Sequence, residues 1–185
     1  MVWEGAFMGK LLVYGRICIL LLCVALVTAS CGAPRVESDF RREGFRATLL
    51  WESGDLELVA QVTVGKCVDG APRELTLTVL EPPSLAGTVV ERSSEGALTL
   101  RVHGIAVRTD VVEPMLEPVE LLLGGGALRG VCETELDGRT VLYAQADSEQ
   151  EAKGYEFYLE PESFAPVRVV LGERSVEVRS FESLS

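Results

Sequence analysis

Apolar and polar side chains alternate with a period of two residues along most of the chain after residue 44. In GDLELVAQVTVG, residues 54–65, one face is apolar and the other carries Asp55, Glu57, Gln61 and Thr63. The segments ELTLTVL, ALTLRVH and GYEFYLE alternate in the same way. This period predicts antiparallel strands in a sheet that is buried on one face and exposed to water on the other.

Turn-forming residues separate these strand-like segments. Ser94-Glu95-Gly96, Asp137-Gly138 and Gly172-Glu173 all fall between two runs of alternating side chains. Short Gly-containing connections of this kind are typical of β-hairpins. The chain is therefore predicted to be mainly β, with about eight or nine strands.

One segment, EPMLEPVELLLGGGALRG, does not alternate. Pro118 suits the first turn of a helix, Val119, Leu122 and Leu123 have helical spacing, and Gly124 begins a glycine run that ends it. We expect a short helix that lies on the concave side of the antiparallel sheet.

The apolar face of this sheet would form either a pocket or a core filled by side chains. A curved sheet with one helix has little to cover so much apolar surface, so it could close over its own inner face around an apolar ligand. The side chains predicted to line this pocket are Leu56, Leu58, Val62, Leu75, Leu77, Leu98 and Leu100. The larger side chains expected on the same inner face are Phe45, Leu49, Trp51, Tyr143, Tyr155 and Phe157.

The N-terminal segment has the pattern of an export signal. Lys10 and Arg16 come before an apolar run, residues 17–27, which is too short and wrongly flanked for a membrane span. The following TASC resembles the lipobox of bacterial lipoproteins, whose cysteine thiol takes a diacylglyceryl group. Acyl chains such as palmitate on Cys31 would anchor the protein to the outer face of the cell membrane. Ordinary cleavage near Ser30 and an uncleaved N-terminal anchor are the alternatives.

This interpretation divides the chain into a signal peptide (1–30), a polar tether (31–43) and one domain (44–185). Loss of the signal peptide removes two basic residues and one acidic residue, which leaves 15 basic and 27 acidic residues and a net charge of −12. Such an acidic chain lacks the basic patch that nucleic acid requires, so we expect no nucleic-acid partner.

Two cysteines follow Cys31, at positions 67 and 132. Outside the cytoplasm such a pair can be oxidised, and a disulfide between Cys67 and Cys132 would stabilise the fold by about 4 kcal/mol in the chain-entropy model. Two separate buried thiols are the alternative.

The sequence offers little for catalysis. His103 is the only histidine, and it is expected on the exposed face of a strand with Thr99 and Arg101. There is no HExxH or CxxC motif, so no metal site and no cofactor are predicted. Carboxylates occupy many polar strand positions, where charges normally discourage edge pairing. The chain is therefore predicted not to be an enzyme.

The order of these parts resembles the lipoprotein-carrier superfamily, the LolA/LolB-like proteins. The similarity extends over about residues 44–183 and includes EPESFAP, residues 160–166, between two strands. The resemblance implies an open antiparallel half-barrel, with one or two short helices over its concave face and an apolar cavity inside. It also implies one of two functions: binding of an acyl chain, lipid or lipidated protein, or docking of a cell-envelope enzyme such as a cell-wall hydrolase.

Overall fold

The protein is described by a computed structural model over residues 39–53, 56–68, 71–148 and 154–184. The described part holds a 3₁₀ helix, Glu113–Leu116, and an α-helix, α1, Glu117–Leu123. Its strands are β1 (Gly44–Ser53), β2 (Leu56–Val64), β3 (Leu75–Glu81), β4 (Val89–Arg92), β5 (Leu98–Val102), β6 (Ile105–Arg108), β7 (Arg129–Leu136), β8 (Arg139–Ala146), β9 (Tyr155–Leu159), β10 (Pro166–Leu171) and β11 (Arg174–Leu184).

All of these strands form one antiparallel sheet. Their order across the sheet is β6-β5-β4-β3-β2-β1-β11-β10-β9-β8-β7, so most neighbours in the chain are also neighbours in the sheet. The terminal strand β11 pairs with β1 and joins the two halves. β6 and β7 pair on one side only, so they are the two edges of an open sheet. The predicted mainly β class, with an open antiparallel sheet and a short helix, is confirmed.

The core lies on one face of the sheet, as the alternation predicted. In β3, Leu75, Leu77 and Val79 are buried, while the residues between them are partly exposed. The prediction of eight or nine strands was too low, because the four-residue strands β4 and β6 are too short to show clear alternation.

Helix α1 covers the middle of the apolar face. Pro118 lies in its first turn and Gly124 caps its end in an extended conformation, as the sequence predicted. Val119 and Leu122 are fully buried in the same apolar cluster as the sheet residues. The helix therefore fills the concave side of the sheet, for which the sequence allowed either a pocket or a core filled by side chains.

The sequence predicted that the domain begins at Gly44, but the folded part begins earlier. Residues 39–43 form a turn that packs on the sheet, and the side chain of Phe40 is buried. The Phe40 ring meets the rings of Phe45 at 6.1 Å and Phe181 at 5.8 Å, both edge to face. The last five residues of the predicted tether are thus part of the folded domain.

Two sequence-based placements were wrong. His103 is exposed, but it lies in the turn between β5 and β6 with a φ of +50°, not on a strand face. Tyr143 was expected in the core, yet its neighbours Leu142 and Ala144 point there instead. Because adjacent residues of a strand face opposite sides, Tyr143 lies on the outer face, edge to face with Tyr158 at 5.6 Å.

Candidate functional site

A continuous row of apolar side chains crosses the concave face from the centre of the sheet to its β6 edge. Each residue in the row lies directly opposite the next one on the neighbouring strand, so all share one face. The row consists of Ala47, Val62, Leu77, Val90, Leu100 and Val107. The first four are buried, Leu100 is half-buried, and Val107 is 49% exposed. The row therefore extends past the part of the concave face that α1 covers.

The β6 edge concentrates exposed apolar surface. Ile105 is 68% exposed and lies opposite Val102, on the same face as Val107. Val111, three residues after the end of β6, is 86% exposed. These three residues make up half of the exposed large hydrophobic side chains in the described part of the chain. Ile105 and Val107, which are neighbours on one face of an edge strand, differ from singly scattered surface residues and indicate a binding surface.

The backbone of β6 offers hydrogen-bonding groups at this edge. The N–H of Thr109 donates to the carbonyl oxygen of Leu98 at 3.2 Å, so Thr109 belongs to the set bonded to β5. Bonded and non-bonded pairs alternate along antiparallel strands. The N–H and C=O groups of Ala106 and Arg108 therefore point away from β5, where an added strand could pair with them.

Charged groups flank the edge on the outer face. Arg108 and Ala106 lie opposite Thr99 and Arg101 of β5. Nε of Arg101 donates to Oε2 of Glu91 at 2.9 Å, and the two side chains are 53% and 37% exposed. The edge is thus apolar on its concave side and charged on its outer side.

The seven residues predicted to line a pocket have different environments. Leu58, Val62, Leu75, Leu77 and Leu98 are buried in the core cluster that includes the helix. Leu100 is half-buried beside that cluster, and the side chain of Leu56 lies outside the described part of the structure. Most of the predicted lining thus packs against protein.

Two grooves adjoin these residues. One, of about 620 Å³, runs between the helices and the sheet and is lined by Leu98 and Leu116 together with Arg92, Glu117 and Glu120 among others. The other, of about 460 Å³, lies on the outer face and is lined largely by polar side chains such as Thr63, Thr76 and Arg108. Neither lining has the apolar character that an acyl chain requires.

A buried arginine was missed by the sequence analysis. Arg41 donates from Nε and Nη2 to the Asp39 carboxylate at 2.8 and 2.7 Å, and from Nη1 to the carbonyl oxygen of Gly124 at 2.8 Å. Its guanidinium lies 5.1 Å from the ring centre of Phe157. Burial acts to raise the pKa of Asp39, but the hydrogen bonds and charge of Arg41 outweigh it, so the pKa lies below its usual 3.8.

The described residues form neither a disulfide nor a metal site. Cys67 and Cys132 are exposed free thiols, so the described structure does not contain the predicted disulfide. No group of three or more His, Cys, Asp or Glu side chains within the described ranges could hold a metal ion. No helix among the described residues is long and apolar enough to cross a membrane. The signal peptide and Cys31 lie outside the described residues.

Comparison with known proteins gives similarities to solved structures at low sequence identity. No family profile matches the sequence, and no curated protein matches it. A crystal structure of an uncharacterized conserved protein from Thermus thermophilus is 19% identical, with a TM-score of 0.48, over 77% of this chain and 80% of that one.

Two other solved structures have the same kind of likeness. The MucA/MucB complex of Pseudomonas aeruginosa gives 18% identity and a TM-score of 0.46, over 79% of this chain but only 53% of that one. A LolA superfamily protein from Nitrosomonas europaea gives 10% and 0.36, over 78% and 87%. At these scores the likeness assigns no family to the chain.

Proposed function

We propose that this chain is a non-enzymatic lipoprotein of the bacterial cell envelope, anchored outside the cytoplasm through acylated Cys31, that docks a partner protein on strand β6. The observation that carries the proposal is the apolar row that leaves the cover of the helix and ends at an open strand. An extended segment of a partner would add to β6 by backbone hydrogen bonds and place alternate apolar side chains against Ile105 and Val107.

Docking fits the geometry better than the apolar-ligand function that the sequence also suggested. A ligand within the curved sheet would have to displace α1, because Leu77 and Val62 pack in the same cluster as Val119. The helix is also joined to the sheet by ion pairs, Arg92 with Glu120 at 2.5 Å among them. The β6 edge needs no such rearrangement.

The position of the single histidine supports the non-enzymatic part of the proposal. His103 is exposed in the hairpin turn between β5 and β6, away from the apolar core. A general base needs a neighbour that orients it within hydrogen-bonding distance.

A proline at position 106 tests the docking edge. Because the Ala106 N–H points away from β5, Ala106→Pro leaves the β5–β6 hydrogen bonds in place and removes a donor that an added strand would need. Ala106→Thr is the matched control, since it keeps the N–H. A photo-crosslinking residue at Val111 in living cells should capture a protein in the wild type and in Ala106→Thr, and lose it in Ala106→Pro.

Two results would contradict the proposal. One is equal crosslinking in Ala106→Pro and Ala106→Thr, which would mean that the partner does not pair with β6. The other is lipid retained by the protein in native mass spectrometry, released by variants that loosen α1 and accompanied by no protein crosslink. That result would support the apolar-ligand function instead.

A further inference from the structure

The loop after β2 and the N-terminal turn form one bonded unit. The N–H of Cys67 donates to the carbonyl oxygen of Arg42 at 3.1 Å. Arg73 donates from Nε to the carbonyl oxygen of Gly65 at 2.9 Å and from Nη2 to that of Glu43 at 2.5 Å. These contacts join both segments, so the place where the tether enters the domain also determines where this loop lies.

The length of the tether limits how far this unit can be from the anchor. Asp39 follows Cys31 by eight residues. An extended chain spans at most about 3.4 Å per residue, so an acylated Cys31 keeps Asp39 within about 27 Å of the membrane. Because Phe40 and Arg41 are buried, the turn does not lengthen the tether. Of the surfaces of the domain, this end is therefore the one that an acylated Cys31 holds nearest to the membrane.

The surface of this end carries an exposed apolar side chain, two exposed cations and the exposed carboxylate of Glu43. Val68 is 64% exposed, and Arg42 and Lys66 are also exposed. Lys66 lies 4.0 Å from Glu43, but an ion pair between two exposed side chains is weak and leaves the cation accessible. An apolar side chain beside basic residues is the combination by which peripheral segments bind anionic lipid.

We propose that Arg42, Lys66 and Val68 contact the anionic lipid surface and orient the domain on the membrane. The inference rests on the proposed anchoring through Cys31. The tether makes the contact intramolecular, with an effective concentration on the order of millimolar, so a contact too weak for a free protein becomes occupied. The net charge of −12 for residues 31–185 repels the remaining surface from anionic lipid, which favours this single orientation.

The two exposed thiols allow a direct test with the full, lipidated chain. Cys67 is adjacent to Val68, whereas Cys132 lies on β7, at an edge of the sheet, and serves as the internal control. The reduced protein is placed on vesicles of phosphatidylglycerol and phosphatidylcholine and treated with a bulky maleimide. Alkylation of Cys67 should be about five-fold slower than in detergent, with Cys132 unchanged. On phosphatidylcholine alone the protection should be smaller.

A double variant then replaces a cation and the exposed valine at this end by acidic residues. The double variant Lys66→Glu, Val68→Asp should lose the protection of Cys67, and Val111→Asp, at a more exposed valine elsewhere, should retain it. Mass spectrometry of Cys31 separates the two proposals. An acylated chain whose Cys67 reacts equally on vesicles and in detergent overturns the membrane contact alone. A chain without acyl groups overturns the anchoring and, with it, the contact.

Discussion

Arg41 and Gly124 are 83 residues apart in the sequence, and Nη1 of the arginine donates a 2.8 Å hydrogen bond to the glycine carbonyl oxygen. The bond satisfies a carbonyl group at the end of α1, where a helix has no further N–H of its own to offer. The same guanidinium binds the Asp39 carboxylate. One side chain thus joins the N-terminal turn to the loop that follows the helix.

Removal of this guanidinium should destabilise the domain. Arg41→Met keeps most of the length of the side chain but removes the guanidinium that donates to the Asp39 carboxylate and to the Gly124 carbonyl group. We expect a loss of about 2–4 kcal/mol in the free energy of unfolding, measured by urea denaturation. Arg42→Met, at an exposed neighbouring position, should change it by less than about 0.5 kcal/mol. Equal effects at both positions would contradict the role of Arg41.

The Asp39 carboxylate makes the stability depend on pH. Its pKa in the folded state lies below the usual 3.8. The contribution of the carboxylate to the free energy of unfolding is therefore fully present above pH 3.8 and is lost as the pH falls through the folded pKa. Asp39→Asn should therefore be less stable than the wild type at pH 7, by about 1–2 kcal/mol, and the difference should narrow below about pH 3.8.

The Arg41→Met background is the control for this pH dependence. Without the guanidinium, Asp39→Asn should cost little at any pH, because the side-chain hydrogen bonds and the charge of Arg41 are gone and the bond from the backbone N–H of residue 41, at 3.1 Å, is the one that remains. Urea denaturation at several pH values measures both pairs. If the stability difference between the wild type and Asp39→Asn widened toward low pH, it would have the wrong sign and would contradict the stabilisation of the Asp39 carboxylate by Arg41.

Much of the sheet could be predicted because side-chain direction within a strand is a local property. The alternation in β2 and β3 indicated which side chains are buried, and Pro118 and Gly124 marked a helix from local backbone preferences alone. Tyr143 could have been placed correctly by the same rule. Leu142, Ala144 and Ala146 form the apolar set of β8, which leaves Tyr143 on the other face.

The candidate site could not be predicted in the same way, because it depends on which strands become neighbours. Nothing in the residues of β6 indicates that no strand follows it in the sheet or that the helix stops short of Val107. The burial of Arg41 depends on carbonyl groups more than 80 residues away. Alternation determines the face of a side chain, whereas cover and pairing are determined by tertiary contacts.

Leu77 tests whether the concave face is a filled core. It is fully buried between Val62 and Val90 in the apolar row. Leu77→Ala should lower the free energy of unfolding by about 2–5 kcal/mol, because it removes packed atoms and leaves a cavity. Val107→Ala, farther along the same row, should cost less than about 0.5 kcal/mol. A small loss for Leu77→Ala would indicate an unfilled pocket and favour the apolar-ligand function.

Gly125 and Gly126 provide a matched pair in the loop after α1. Gly125 has a φ of +82°, and a Cβ there would lie 2.8 Å from Cβ of Ala146 and 2.9 Å from Cδ2 of Tyr155. Gly125→Ala should therefore cost about 2–4 kcal/mol, from the left-handed backbone and the crowding together. A Cβ at Gly126 would meet nothing within 4 Å, so Gly126→Ala should be neutral or slightly stabilising. Urea denaturation of the two variants compares them directly, and equal stability would mean that the loop does not pack against β8 and β9 as described.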